Sequence, residues 1–251
     1  MKQKESEGLI IGKNALREAF AAGKSLQKVF LQDSLENESL TELLKLCRKN
    51  KVPVLQVPKS KLDRLTRSQH QGVVAMVKWV AFQDLQDVID LAYQSGVDPC
   101  FLILDRITDV RNFGAIARSA EVFGINGLII PKKDSAPINQ EAIKASTGAL
   151  LRLPVSQISE SQHAVKTLQR NGFRVIACTE KSSASLRENI SPGATAFVLG
   201  SEGEGISEQV LQFCDATSTI PQLGQISSLN VSVAAGIICY EWMLFQQSKS
   251  S

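Results

Sequence analysis

The clearest indication of the fold class comes from residues 101–131, FLILDRITDVRNFGAIARSAEVFGINGLIIP. FLILD (101–105) and GLIIP (127–131) are short apolar runs of the kind that form strands buried on both faces of a sheet. Between them, NFGAIARSAEVFG (112–124) has the apolar spacing of a helix. The stretch therefore predicts two parallel strands joined by a helix.

The same alternation of strand and helix continues to the end of the chain. Further strands are predicted at FRVIACTE (173–180), AFVLG (196–200) and STIPQ (218–222). Helical patterns separate and follow the strands, at NQEAIKASTGALL (139–151), SQHAVKTLQRNG (161–172), ISEQVLQFCD (206–215) and SLNVSVAAGIICYEWMLFQQ (228–247). Residues 100–251 are therefore expected to form a doubly wound α/β domain with ligand sites at the carboxyl ends of its strands.

A smaller α/β unit is predicted for residues 1–80. Helical patterns occur at 12–23, 39–50 and 59–66, and strand patterns at 29–32, 53–58 and 72–80. Residues 81–99 are polar and acidic with one helical segment, DLQDVIDLAY (84–93), and we expect them to be a linker.

The composition excludes several classes of protein. With 251 residues, 43% hydrophobic and 21% charged, the chain is expected to be globular and neither disordered nor fibrous. No apolar run is long enough for a membrane span, and the N-terminal MKQKESEG does not resemble a signal peptide, so a cytoplasmic location is predicted. Five scattered cysteines without a CxxC pair and only two histidines predict neither disulfides nor a metal site.

Charge is distributed unevenly along the chain. Residues 1–80 carry 15 Lys and Arg against 8 Asp and Glu, or +7, and the remainder carries 13 against 17, or −4. Between Lys45 and Arg67 a single acid, Asp63, accompanies eight basic residues: Lys45, Arg48, Lys49, Lys51, Lys59, Lys61, Arg64 and Arg67. This pattern favours a face that binds a polyanion such as nucleic acid, and ordinary solvated helix faces are the alternative.

Three junctions between strand and helix concentrate polar residues. In the first, Asn112 with Arg111 is suited to bind an anion, or Asn112 is a simple helix N-cap. The second, FVLGSEGEGIS (197–207), matches neither the P-loop nor the dinucleotide glycine pattern, and its Glu202 favours a cationic ligand. In the third, IPQLGQISSLNVSVAAG (220–236), one of Ser227, Ser228 and Asn230 is expected to cap the apolar helix that follows.

Taken together and in order, the three junctions resemble the SpoU/TrmH family of RNA ribose 2′-O-methyltransferases in the SPOUT superfamily. The segment from Ile11 to Val77, ending in HQGVVAMV, resembles the small RNA substrate-binding domain of the bacterial 23S rRNA guanosine 2′-O-methyltransferase branch. The resemblance implies S-adenosylmethionine as cofactor, RNA as partner, a homodimer and a deep trefoil knot in residues 100–251. Two departures, Val110 for a frequent Pro and Gln222 for a frequent Met, bear only on loop rigidity and fine substrate choice.

The resemblance also implies the residues of the site. Arg118 would bind the phosphate of the target nucleotide and stabilise the developing alkoxide, since a guanidinium is a poor base. The other catalytic residues would be Asn112, Glu202, Ser228 and Asn230, and the cofactor would be bound by Gly200, Ser201, Gly203, Ile220, Leu229 and Asn230. A tRNA guanosine methyltransferase, an antibiotic-resistance rRNA methyltransferase and an inactive RNA-binding or assembly factor remain as alternatives, while a nucleotide-dependent oxidoreductase is excluded by the glycine spacing.

Overall fold

The computed structural model describes residues 8–33, 38–226 and 228–249, so Ser227 lies outside the described residues. The chain divides into two compact units, Met1–Trp79 and Val80–Ser251.

The first unit is built on a four-stranded sheet. Its elements are β1 (Leu9–Ile11), α1 (Lys13–Ala21), β2 (Leu26–Gln32), α2 (Glu38–Lys49), β3 (Val54–Val57), α3 (Lys59–Leu65) and β4 (Val73–Val77). The strand order is β1-β4-β2-β3, with β2 and β3 parallel and the other two pairs antiparallel. Strand β1 was not predicted from the sequence.

Helices α2 and α3 lie on opposite faces of this sheet. Leu43 of α2 is buried in one cluster with Val29 of β2. Leu62 of α3 is buried in another with Phe30, the next residue of β2, and successive strand residues face opposite sides of a sheet. Six of the eight basic residues lie on α2 and α3, which precede and follow the edge strand β3 along the chain. The polyanion-binding face expected from these residues stays a prediction.

The second unit contains a six-stranded parallel sheet with the order β10-β8-β9-β5-β6-β7. Its elements are α4 (Leu85–Tyr93), β5 (Cys100–Leu104), α5 (Val110–Val122), β6 (Gly127–Pro131), α6 (Gln140–Ala145), a 3₁₀ turn (Ala149–Leu151), β7 (Val155–Ile158), α7 (Ser161–Arg170), β8 (Arg174–Cys178), α8 (Leu186–Asn189), β9 (Thr195–Leu199), α9 (Glu208–Leu211), β10 (Ala216–Ser218) and α10 (Val231–Lys249).

Helices cover both faces of the large sheet. Helices α5, α6 and α10 contribute to one buried cluster, which includes Leu102 of β5. Helices α4, α7 and α9 contribute to a second, which includes Phe101 and Ile103 of the same strand. The alternation along β5 confirms the predicted α/β fold with a parallel sheet. The trefoil knot expected from the resemblance stays a prediction.

Residues 81–99 differ from the expected linker. Helix α4 forms as predicted, but Leu85, Val88 and Ile89 are buried in the core of the second unit. The segment therefore belongs to that unit, because its apolar helix face is part of the packing under the sheet. Within the described part of the chain, no helix has the length and apolar character that crossing a membrane requires.

Candidate active site

A cavity of about 420 Å³ lies where strands β8, β9 and β10 end. Strand β9 lies between β5 and β8, and β10 is the edge strand next to β8. Because parallel strands end at the same edge of a sheet, the segments that follow them meet there. The cavity is lined by the segment after β8, the loop after β9, and the segment from β10 to the first turns of α10.

Residues 200–206, the glycine loop, fold back tightly on themselves after β9. Ser201 and Gly205 exchange two backbone hydrogen bonds, of 3.1 and 2.9 Å. A Cβ atom on Gly200 would lie 2.1 Å from the carbonyl carbon of Gly205, so only glycine fits there. Gly205 itself has φ +70°, a conformation that favours glycine. The loop therefore presents its backbone to the cavity at close range.

An asparagine cluster of Asn112, Asn230 and Glu202 joins the three junctions. The side-chain amide of Asn230 donates to Oδ1 of Asn112 at 3.1 Å and to the carboxylate of Glu202. Its Oδ1 accepts the amide N–H of Ser232 at 2.9 Å, so Asn230 caps α10, as one residue of this junction was expected to do. Asn112 is not a cap, since Asp109 caps α5 by accepting the amide of Asn112 at 2.8 Å.

The charged lining of the cavity is mainly acidic. Three carboxylates, of Glu180, Glu202 and Glu204, line it together with one ammonium group, of Lys181. Such a lining favours a ligand with positive charge. Burial raises the pKa of the Cys178 thiol, which also lines the cavity, and the nearby Cys214 and Cys239 raise it further. In the described residues, no group of three or more His, Cys, Asp or Glu could hold a metal ion.

The structure brings most of the predicted site residues together. Asn230 and Asn112 form the asparagine cluster with Glu202, and the cavity lining includes the other predicted residues after β9 and β10: Gly200, Ser201, Glu202, Gly203, Ile220, Ser228 and Leu229.

Arg118 is the exception among the predicted site residues. It lies on α5 six residues after Asn112, which places it about 9 Å further along the helix and on another face. Its side chain is exposed and does not line the cavity, and within the described parts of the chain it has neither a hydrogen bond nor an ion pair. Asn112 and Glu202 contact Asn230, and within one chain neither forms a hydrogen bond with the Arg118 side chain.

Four lining residues, Cys178 to Lys181, were missed by the sequence reasoning. The pattern FRVIACTE predicted a strand through Glu180, but β8 ends at Cys178. Thr179, Glu180 and Lys181 thus leave the sheet at its carboxyl edge and enter the cavity wall. These residues could have been found from the polar end of this run, because ligand sites in such a sheet lie after the strands.

Comparison with protein families agrees with this geometry. A family model described as "SpoU rRNA Methylase family" matches residues 99–240, which include the cavity and the asparagine cluster. The chain belongs to the SpoU rRNA methylase family. A second model, described as "RNA 2'-O ribose methyltransferase substrate binding", matches residues 9–82. The predicted family and enzyme class, an RNA methyltransferase, are confirmed, while the branch within the SpoU family stays a prediction.

Related sequences extend over nearly the whole chain. A protein of Staphylococcus saprophyticus, whose name places it among TrmH family tRNA/rRNA methyltransferases, is 38% identical over 237 residues and covers 94% of each chain. A protein of Staphylococcus aureus with the same name is 37% identical over 234 residues, covering 93% of this chain and 94% of its own.

Solved structures confirm the predicted fold. The SpoU methyltransferase AviRb from Streptomyces viridochromogenes, in complex with the cofactor AdoMet, matches with a TM-score of 0.62 and 24% identity, covering 97% of this chain and 91% of its own. An AdoMet-bound rRNA methyltransferase from Sinorhizobium meliloti matches with a TM-score of 0.60 and 22% identity, covering 94% and 87%.

Proposed function

We propose that this SpoU-family protein transfers the methyl group of S-adenosylmethionine to a ribose 2′-oxygen of RNA, and that the acceptor is a guanosine of 23S rRNA. The observation that carries the proposal is the asparagine cluster, in which residues from three distant junctions meet beside one cavity. The family of the chain and the AdoMet bound by AviRb support the choice of cofactor.

The residues of the cavity fit S-adenosylmethionine. The volume of about 420 Å³ lies in the range of pockets for small molecules. The cofactor carries a positively charged sulfur whose methyl group is already activated for transfer. Glu202 and Glu204 complement this charge, and the backbone of Gly200 to Gly205 allows a flat adenosyl group to approach closely. Ile220 and Leu229 supply apolar contacts.

The chain must hold the ribose in line with the methyl group and assist the loss of one proton. Asn230 fixes the carboxylate of Glu202, and Ser228 at the cavity wall orients the ribose. The guanidinium of Arg118 keeps its own proton, so it binds the phosphate of the target nucleotide and stabilises the oxyanion as it forms. The 2′-hydroxyl proton leaves to water or to a phosphate oxygen.

Arg118 reaches the reacting ribose most simply from a second copy of the chain. Its neighbour Ser119 lies next to Gly236 of α10, where an added Cβ would be 3.6 Å from the Ser119 hydroxyl. On either side of Gly236 along α10, Val233 and Tyr240 are 51% and 44% exposed. These two residues are seven positions apart and share one helix face. In a homodimer whose interface covers this apolar face, Arg118 of each subunit lies near the partner subunit. The arginine of one subunit then acts in trans at the cavity of the other.

The first unit provides much of the affinity for RNA. Its eight basic residues between Lys45 and Arg67 are exposed, and within the described residues none of them pairs with an acid. Exposed basic side chains that no acid neutralises are suited to contact the phosphates of an RNA strand. The match of residues 9–82 to a substrate-binding family supports this role.

The proposal is tested by methyl transfer from tritiated S-adenosylmethionine to separate preparations of ribosomal and transfer RNA lacking the modification. We expect label in 23S rRNA. The labelled nucleotide should be the guanosine that lacks its 2′-O-methyl group in a strain without this gene. Label in tRNA alone would show that the acceptor is tRNA, and the proposed methyl transfer to RNA would still stand. Cofactor binding without transfer to either RNA would support the alternative of an inactive RNA-binding factor.

A further inference from the structure

Asp105 follows β5 and fixes both ends of the glycine loop. Its backbone N–H donates to the carbonyl of Leu199, the residue before the loop, at 2.8 Å. Its carboxylate accepts the backbone N–H of Ser207, the residue after the loop, at 2.9 Å. Asp105, at the end of a neighbouring strand, thus forms hydrogen bonds with the residues immediately before and after the glycine loop.

The carboxylate of Asp105 is held firmly in place. Asp105 is 3% exposed, and its other oxygen accepts the hydroxyl of Ser161 at 2.7 Å. The Nε of Arg106 lies 3.5 Å from Oδ2 of Asp105, the oxygen that accepts from Ser207. A buried carboxylate is tolerated when it is hydrogen-bonded and paired with a charge, and Asp105 meets both conditions.

Arg106 contacts the tip of the same loop. Its guanidinium forms an ion pair with Glu204 and donates from Nη2 to the carbonyl oxygen of Gly205 at 3.2 Å. Arg106 has φ +58°, in the left-handed region where glycine and asparagine are preferred over arginine. Arg106 holds this less favourable backbone conformation while its side chain makes both contacts at the tip of the loop.

We propose that Asp105 and Arg106 are positioning residues that hold the glycine loop closed and thereby set the affinity for S-adenosylmethionine. The inference rests on the proposed function, because the ligand is the cofactor of that reaction. Glu204 connects the two, since its carboxylate both lines the cavity and pairs with Arg106. Only a planar fork binds a carboxylate and a carbonyl oxygen together in this way, so lysine should replace Arg106 only in part.

The decisive variant is Arg106→Gly, which removes the guanidinium and suits the left-handed backbone. In the full-length protein without cofactor, we expect hydrogen exchange of residues 201–207 to be faster by roughly tenfold, the loss expected for a charge-assisted contact. The Kd and KM for S-adenosylmethionine should rise by about tenfold, while kcat at saturating cofactor and the Kd for RNA stay within about threefold. Arg106→Lys should give intermediate values.

Two glutamate variants separate the contact from a general change in charge. Glu204→Gln removes the partner of Arg106 from an exposed loop and should reproduce the faster exchange. Glu208→Gln makes the same change of charge four residues later, at a side chain that forms no ion pair within the described residues, and should leave exchange and affinity unchanged.

The proposal is overturned if Arg106→Gly and Glu204→Gln both keep the wild-type exchange rate and Kd. Failure of the wild-type protein to bind S-adenosylmethionine would instead contradict the proposed function. Even then, the exchange comparison decides whether Arg106 holds the loop, because it is made without cofactor.

Discussion

Gly200→Ala should weaken cofactor binding by opening the glycine loop. The added Cβ would lie 2.1 Å from the carbonyl carbon of Gly205, 2.2 Å from the amide nitrogen of Ile206 and 2.3 Å from the Gly205 oxygen. These are backbone atoms, so no side chain can rotate away. An ordinary carbon contact is about 3.5 Å, so the returning strand of the loop must retreat by roughly 1.4 Å.

Such a retreat would break the two hydrogen bonds between Ser201 and Gly205. Overpacking of this kind costs about 1–3 kcal/mol. If that free energy opposes the closed loop, the Kd for S-adenosylmethionine rises by roughly 5- to 150-fold. Calorimetric titration of the full-length protein measures it directly.

The matched control lies three residues away. A Cβ on Gly203 would meet no protein atom within 4 Å, so Gly203→Ala should leave the closed loop intact and, although Gly203 lines the cavity, should lower the affinity for the cofactor less than Gly200→Ala. Equal dissociation constants for Gly200→Ala, Gly203→Ala and the wild type would refute the idea that the closed loop shapes the cofactor site. A circular-dichroism melt shows whether either variant is simply unfolded.

Three further predictions concern the dimer, the action of Arg118 in trans and the binding of RNA. Light scattering should give about twice 27.3 kDa, and a fully active monomer would contradict the proposed dimer. If Arg118 acts in trans, a mixture of Arg118→Ala and Asn230→Ala proteins, each inactive alone, should regain about a quarter of the wild-type rate after subunits exchange at equal amounts. Half of the dimers are then mixed, and each mixed dimer has one intact site out of two. No recovery after verified exchange would place Arg118 in its own cavity. Replacing Lys49 and Lys51 by Gln should weaken RNA binding and flatten its logarithmic salt dependence by roughly 1.5. Lys24→Gln, outside the basic segment 45–67, should change the salt dependence by less than half as much.

The sequence predicted the long elements and missed short ones. Strands with uninterrupted apolar runs, such as β5 and β9, were predicted almost to the residue. Strand β1 has three residues, and the edge strand β7 reads VSQI, half of it polar. Neither pattern stands out from a loop. The four-residue helix α8 is too short for any apolar period to show.

Contacts between distant residues could not be predicted from the sequence. Arg106 and Glu204 are 98 positions apart, and Asn112 and Asn230 are 118 apart. Resemblance to a family named Asn112 and Asn230 as site residues but not their hydrogen bond. No sequence pattern indicated a role for Arg106, because hydrophobic spacing does not reveal a positive φ at an arginine.

Asn230 couples the folding stability of α10 to the chemistry of the cavity. Its oxygen must accept from the first turn of the helix while its nitrogen donates to Glu202 and Asn112. Aspartate would keep the cap and set two carboxylates against each other, serine would keep it but lacks the reach and the second donor, and alanine would lose about 1 kcal/mol of helix stability as well. A protein engineer who wished to alter this site would therefore find that side chain the least replaceable, since every alternative impairs the helix, the site or both.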